Sequence, residues 1–148
     1  MRPTARILAL ASLAWLGLAA AETPPAPATP APAISAPAIG ADELAAREAT
    51  KDPTLVVLDV RTPAEYAEGH VPGAINVPHD AVAARLDELA PLKDKDVVVY
   101  CKSGRRAALA LDVLGQNGYT RLRHLDGDMQ GWVAAGRPVE KSPEGQKP

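Results

Sequence analysis

The sequence predicts one small α/β domain, a parallel sheet with helices on both of its faces, and three observations predict it. The run Leu55-Val56-Val57-Leu58-Asp59-Val60 and the run Val97-Val98-Val99-Tyr100 are continuously apolar apart from one aspartate. Strands covered on both faces read this way, whereas half-exposed strands alternate apolar with polar. Segments of helical character stand between and after these runs, and such alternation favours parallel strands joined by right-handed crossovers. No internal repeat is visible, and residues 39–140 are of single-domain size.

The remaining residues have other compositions. Residues 1–21 have the layout of a secretory signal: Arg2 and Arg6 at the start, an apolar stretch over 7–18, then Ala19-Ala20-Ala21 as a cleavage site. The apolar stretch is short for a bilayer span, so the reading is export, to a bacterial periplasm, with no membrane attachment after cleavage. Residues 22–38 are dominated by proline and alanine and read as a semi-rigid linker. Residues 141–148 form a C-terminal tail.

Within the domain the elements follow in order. Residues 42–49 are good helix formers behind Asp42. Residues 55–60 are the first strand. Residues 63–68 form a short helix, with Thr62 as cap, Pro63 in the first position and Gly69 closing it. Residues 74–77 make a short strand between Pro72-Gly73 and Pro78. Residues 80–89 read as a helix with Val82, Leu86 and Leu89 on one face. Residues 97–100 are the second long strand, residues 106–116 a helix stopped by Asn117-Gly118, residues 121–125 a strand, and residues 129–135 a last helix before Gly136.

Composition excludes several functions. The chain carries 16 basic and 18 acidic residues. Loss of residues 1–21 removes Arg2 and Arg6 and leaves 14 against 18, a net charge of −4. That balance gives no support to binding of nucleic acid or of an anionic membrane. His70, His79 and His124 have no ligand spacing, so no metal is expected. His70 is assigned a structural hydrogen bond, and Trp132 a place in the core or over the sheet edge. No dinucleotide fingerprint, phosphate loop or Ser/His/Asp arrangement is present, and no cofactor is expected.

Cys101 is the single cysteine, and it follows a buried strand directly. A thiol there lies at the carboxyl end of a parallel strand, where open α/β sheets bind ligands. Cys101-Lys102-Ser103-Gly104-Arg105-Arg106 forms a basic loop leading into a helix. Amides of the turn, the helix dipole and three cations all favour a thiolate, the nucleophilic form. The crossover rule places Asp59 and Arg61 on the neighbouring strand end, as a buried pair or as support for the loop. Glu65 is a candidate partner for a nearby basic residue. Gly104 supplies the positive φ that a tight loop requires.

Four segments carry a resemblance. They are Leu58-Asp59-Val60-Arg61; Glu65-Tyr66 with Gly69-His70-Val71-Pro72-Gly73-Ala74-Ile75-Asn76-Val77-Pro78; Cys101-Lys102-Ser103-Gly104-Arg105-Arg106-Ala107; and Leu125-Asp126-Gly127-Asp128-Met129-Gln130-Gly131-Trp132. In this order, over residues 39–138, they resemble the single-domain rhodanese family of sulfurtransferases. Asp128 departs from the pattern, which often has a second glycine there, and the departure is expected to affect a surface turn.

The resemblance implies a rhodanese-like domain in which the loop wraps the sulfur of Cys101. That sulfur takes a sulfane sulfur from a small anionic donor such as thiosulfate and becomes a persulfide. It then passes the sulfur to cyanide, a thiol or a dedicated protein acceptor, a ping-pong course of covalent catalysis. Lys102, Ser103, Gly104, Arg105 and Arg106 are the candidate substrate-binding residues, with Asp59 and Arg61 in support. For Lys102 and Arg105 a solvated charged surface is the competing reading. Arg106 ends the family's loop, and a carboxylate is a suitable internal partner for it. Two other functions compete. One is a sulfur carrier or recognition module of the same fold without turnover. The other is a cysteine-dependent phosphatase or arsenate reductase, which needs a loop one residue longer than the Cys-x4-Arg spacing here.

Overall fold

The computed structural model describes residues 35–142. The expected signal, most of the linker and most of the tail lie outside those residues. The elements are β1 (Ala38–Ile39), α1 (Ala41–Ala49), β2 (Leu55–Asp59), α2 (Pro63–Glu68), β3 (Ile75–Asn76), α3 (Leu86–Leu89), β4 (Asp96–Tyr100), α4 (Arg105–Gln116), β5 (Leu122–Leu125) and α5 (Asp128–Ala134). The five strands form one sheet in the order β1-β5-β4-β2-β3, and every pairing is parallel.

The apolar runs are central because they are apolar on both faces. One face of the sheet presents Leu58, Val60, Val97, Val99 and Leu122 to Ala107, Ala110, Leu111 and Leu114 of α4 and to Val82 and Leu89. The other presents Val57, Val98, Tyr100 and Leu125 to Leu44 of α1 and to Met129 and Trp132 of α5. Each fully buried Leu or Val contributes about 1.5–3 kcal/mol relative to exposure. Trp132 is a core residue whose indole N–H donates to the Pro138 carbonyl at 2.8 Å. His70 stacks on Tyr66, its Nδ1 is 2.8 Å from the Tyr66 carbonyl, and its backbone pairs with Glu140. Its expected structural role is what these contacts describe.

Two expectations need correction. Residues 80–89 are not one helix: a 3-10 turn at Ala83–Arg85 precedes the single turn α3, and a second 3-10 turn follows at Ala90–Leu92. Arg85, at φ −110° and ψ 17°, leaves helical geometry between the first two, and Pro91 lacks the N–H that would extend α3. The apolar spacing survives the break, since Val82 and Leu89 are buried and Leu86 packs beside them. Ala38, assigned to the linker, belongs to β1, and Ala36 already packs against the core. A two-residue edge strand after Pro37 is too short to show any periodicity.

Register fixes the site. β2 and β4 run side by side with Asp59 opposite Tyr100, and Val99 of β4 lies opposite His124 of β5. The ends of β2, β4 and β5 therefore meet on one edge of the sheet, where residues 101–104 leave β4 for α4.

Candidate active site

Cys101 is 1 % exposed and packs with Ala107 on the α4 face of the sheet. Its surroundings are not pure hydrocarbon. The Gly104 N–H donates to Sγ at 3.1 Å. Of the turn amides expected at the sulfur, Gly104 supplies the one bonded to it among the described residues. Gly104 stands at φ 102°, so the expected need for glycine is met. A β-carbon there would meet Asp128 Oδ2 at 3.1 Å and His124 Cε1 at 3.4 Å.

Arg106 is the cation committed to the loop. Its Nη1 and Nη2 bind Glu65 Oε2 and Oε1 at 2.7 and 2.9 Å, a bidentate pair that joins α4 to α2. Glu65 is placed by a capping box: the Thr62 hydroxyl accepts the Glu65 N–H, and Glu65 Oε2 accepts the Thr62 N–H. Hydrogen bonding from Arg106 holds the Glu65 carboxyl down at about 2. The Arg106 guanidinium is held in its charged form by Glu65 first and also by the Cys101 side chain. The carboxylate partner anticipated for Arg106 and the basic partner anticipated for Glu65 are thus each other. Lys102 and Ser103 are exposed on the crest of the loop, and Arg105 is exposed at the start of α4. Lys102 also borders a cleft of about 520 Å³ whose other walls include Arg61, Glu65, Glu68, Met129 and Val133.

Asp59 and Arg61 form a buried pair, 0 % and 6 % exposed, and reach the cysteine through Tyr100. Asp59 Oδ2 accepts from Arg61 Nη2 at 2.6 Å and from the Tyr100 hydroxyl at 2.7 Å. Arg61 Nη2 also donates to the Gly69 carbonyl, and the Tyr100 hydroxyl accepts the Val71 N–H. Burial and the Asp59 charge raise the Tyr100 phenol well above its ordinary value, so it stays a donor. This network sets the strand end from which Cys101 departs.

Asp128 requires a correction. It does not sit on a surface turn; it is 3 % exposed, at φ 53°, and its Oδ1 accepts the Cys101 N–H at 2.8 Å. His124 Nε2 lies 3.0 Å from Oδ2 and 3.1 Å from Oδ1. Hydrogen bonding to Asp128 raises the His124 imidazole above its ordinary 6.5, against the opposing effect of burial. Sequence reasoning missed His124, Asp128 and the Tyr100 hydroxyl. A signal existed for Asp128 alone, a side chain standing where the backbone favours glycine.

With this geometry in place, three comparisons bear on identity. A family model described as a rhodanese-like domain matches residues 40–135. A sulfurtransferase of Allochromatium vinosum is 41% identical over 91 residues, covering 62% of this chain and 82% of that protein. A thiosulfate sulfurtransferase of Escherichia coli is 40% identical over 70 residues, covering 47% of this chain and 67% of that protein. Among solved structures, a rhodanese-related protein from Thermoplasma volcanium superposes with a TM-score of 0.63 at 30% identity, covering 72% of this chain and 99% of that one.

Proposed function

The chain belongs to the rhodanese-like family, and from that premise we propose that it is an exported sulfurtransferase enzyme working through a persulfide on Cys101. The observation that carries the proposal is the Gly104 N–H donated to Sγ of a cysteine that directly follows a buried parallel strand. A backbone donor aimed at the sulfur can help hold the negative charge of a persulfide formed there.

The reaction balances in two steps. The Cys101 thiolate attacks the outer sulfur of thiosulfate; a sulfur–sulfur bond forms to Cys101, the one inside thiosulfate breaks, and sulfite leaves with the electron pair. An acceptor nucleophile then attacks the outer persulfide sulfur and returns Cys101 as thiolate. Cyanide leaves as thiocyanate, a thiolate as its own persulfide. Because Cys101 is 1 % exposed, the donor must reach it past the exposed Lys102 and Ser103. The charges of Lys102 and Arg105 would draw in the anionic donor.

Arg106 speaks against a phosphatase. Its Nη1–Nη2 edge is engaged by Glu65, which makes that edge less available to phosphate oxygens. Export is supported by the layout of residues 1–21, a periplasmic destination being the one that fits.

Steady-state assays of thiosulfate, polysulfide and a phosphoester with cyanide as acceptor test the reading. Turnover of the two sulfur donors by the wild type, abolished in Cys101→Ser, is expected. Sulfur loading with no turnover would make the protein a carrier, and phosphoester cleavage dependent on Cys101 would sink sulfur transfer.

A further inference from the structure

The start of α5 is stitched to the cysteine loop along its backbone. The Met129 N–H donates to the Cys101 carbonyl at 3.0 Å, and the Gln130 N–H to the Lys102 carbonyl at 3.3 Å. Asp128 adds the third tie, and it does so from a strained position. At φ 53° a glycine would sit without cost, while an aspartate needs compensation from its side chain. The compensation is visible: one carboxylate receives the Cys101 N–H, meets His124 and fills the space behind Gly104.

We infer that Asp128 is a positioning residue for the chemistry at Cys101, its carboxylate clamping the backbone from which the sulfur hangs while His124 holds that carboxylate in place. The clamp works on both sides of the sulfur. Oδ1 fixes the Cys101 amide, and Oδ2 backs Gly104, whose own N–H donates to Sγ. Two points 3 residues apart along the loop are thereby referred to one rigid group. A surface carboxylate or a plain turn glycine would do neither. The carboxylate also brings a negative charge towards the loop, and His124 from β5 is placed to offset it; Asp126 is the other acidic group acting on that imidazole.

The inference rests on Cys101 as the sulfur-bearing atom, and its test separates the two ideas. Asp128→Gly suits the backbone and removes the clamp, whereas Asp128→Asn keeps an acceptor for the Cys101 N–H and tolerates left-handed geometry. Both variants and the wild type are compared in rate of sulfur loading from thiosulfate, in rate of Cys101 alkylation by iodoacetamide, and in melting temperature. The glycine variant is expected to melt close to the wild type, relief of the left-handed backbone offsetting the lost pair with His124, to load sulfur on the order of tenfold more slowly, and to alkylate about fivefold faster as the loop opens. The asparagine variant is expected within about threefold of the wild type in both rates, since the hydrogen bond to the amide survives. Equal behaviour of the glycine variant and the wild type would overturn the clamp, as would an asparagine variant as impaired as the glycine one. Absence of sulfur loading in the wild type would instead refute sulfur transfer, and the alkylation rates would still decide the role of Asp128.

Discussion

The two feet of the cysteine loop are held by ion pairs of different kinds. At the first foot the buried Asp128 carboxylate grips the Cys101 amide and leans on His124, a group that titrates. At the second, Arg106 and Glu65 make a bidentate pair, each side chain about a quarter exposed, in which the cation never titrates. Between them the crest, Lys102 and Ser103, is exposed. The loop is shaped from its ends. Geometry at the sulfur comes from residues brought by α2, β5 and α5, and the crest is left exposed.

The largest effect is expected where the feet converge. Gly104→Ala places a β-carbon against Asp128 and His124 at a positive φ, so a loss of about 1–3 kcal/mol is predicted, read by denaturant unfolding. Sulfur loading should fall with it, because the amide that binds Sγ moves. Wild-type stability in this variant would show that the first foot yields easily, against the picture of a fixed clamp.

Glu65→Gln probes the second foot. The pair is partly exposed and screened, so a cost of about 1 kcal/mol is expected at pH 7, or roughly 4–8 °C in melting temperature. The Glu65 carboxyl is depressed in the folded state, so its stabilisation is complete above about pH 4.5 and disappears as pH falls to about 2. The gap between wild type and variant should close over that acid range.

His124 gives the first foot the opposite dependence. Its value is raised on folding, so the stabilisation is complete below 6.5 and is lost as pH rises through the folded value. Unfolding of the wild type and His124→Ala from pH 6 to 9 should show a wild-type advantage that shrinks towards the alkaline end. The smallest effect belongs to the exposed cations of the loop and of the first turn of α4. Lys102→Ala and Arg105→Ala should stay within about 0.5 kcal/mol of the wild type, while thiosulfate loading slows a few-fold at low salt and less at high salt.

What the sequence revealed and what it hid divide along the same line. Leu55 to Val60 and Val97 to Tyr100 announce buried parallel strands because burial on two faces leaves no polar alternation to confuse. Cys101 and Gly104 could be assigned because strand-end placement and a tight basic loop are local properties. The pairing of Glu65 with Arg106 was half legible, each partner expected and neither matched, since 41 residues separate them. Asp128 and His124 were out of reach for a different reason. They lie only four residues apart, but their meaning depends on β5 standing beside β4, which sequence spacing does not show. The 3-10 turns around α3 escaped because the periodicity of Val82, Leu86 and Leu89 is satisfied by more than one backbone path.

Whether Cys101 carries the transferred sulfur is read from the intact mass of the protein after incubation with thiosulfate. Wild-type protein is expected to gain one sulfur atom, mapped to Cys101 and removed by cyanide, with Cys101→Ser unchanged. An unmodified wild type, or a Cys101→Ser variant that gains the same sulfur, would contradict sulfur transfer through Cys101.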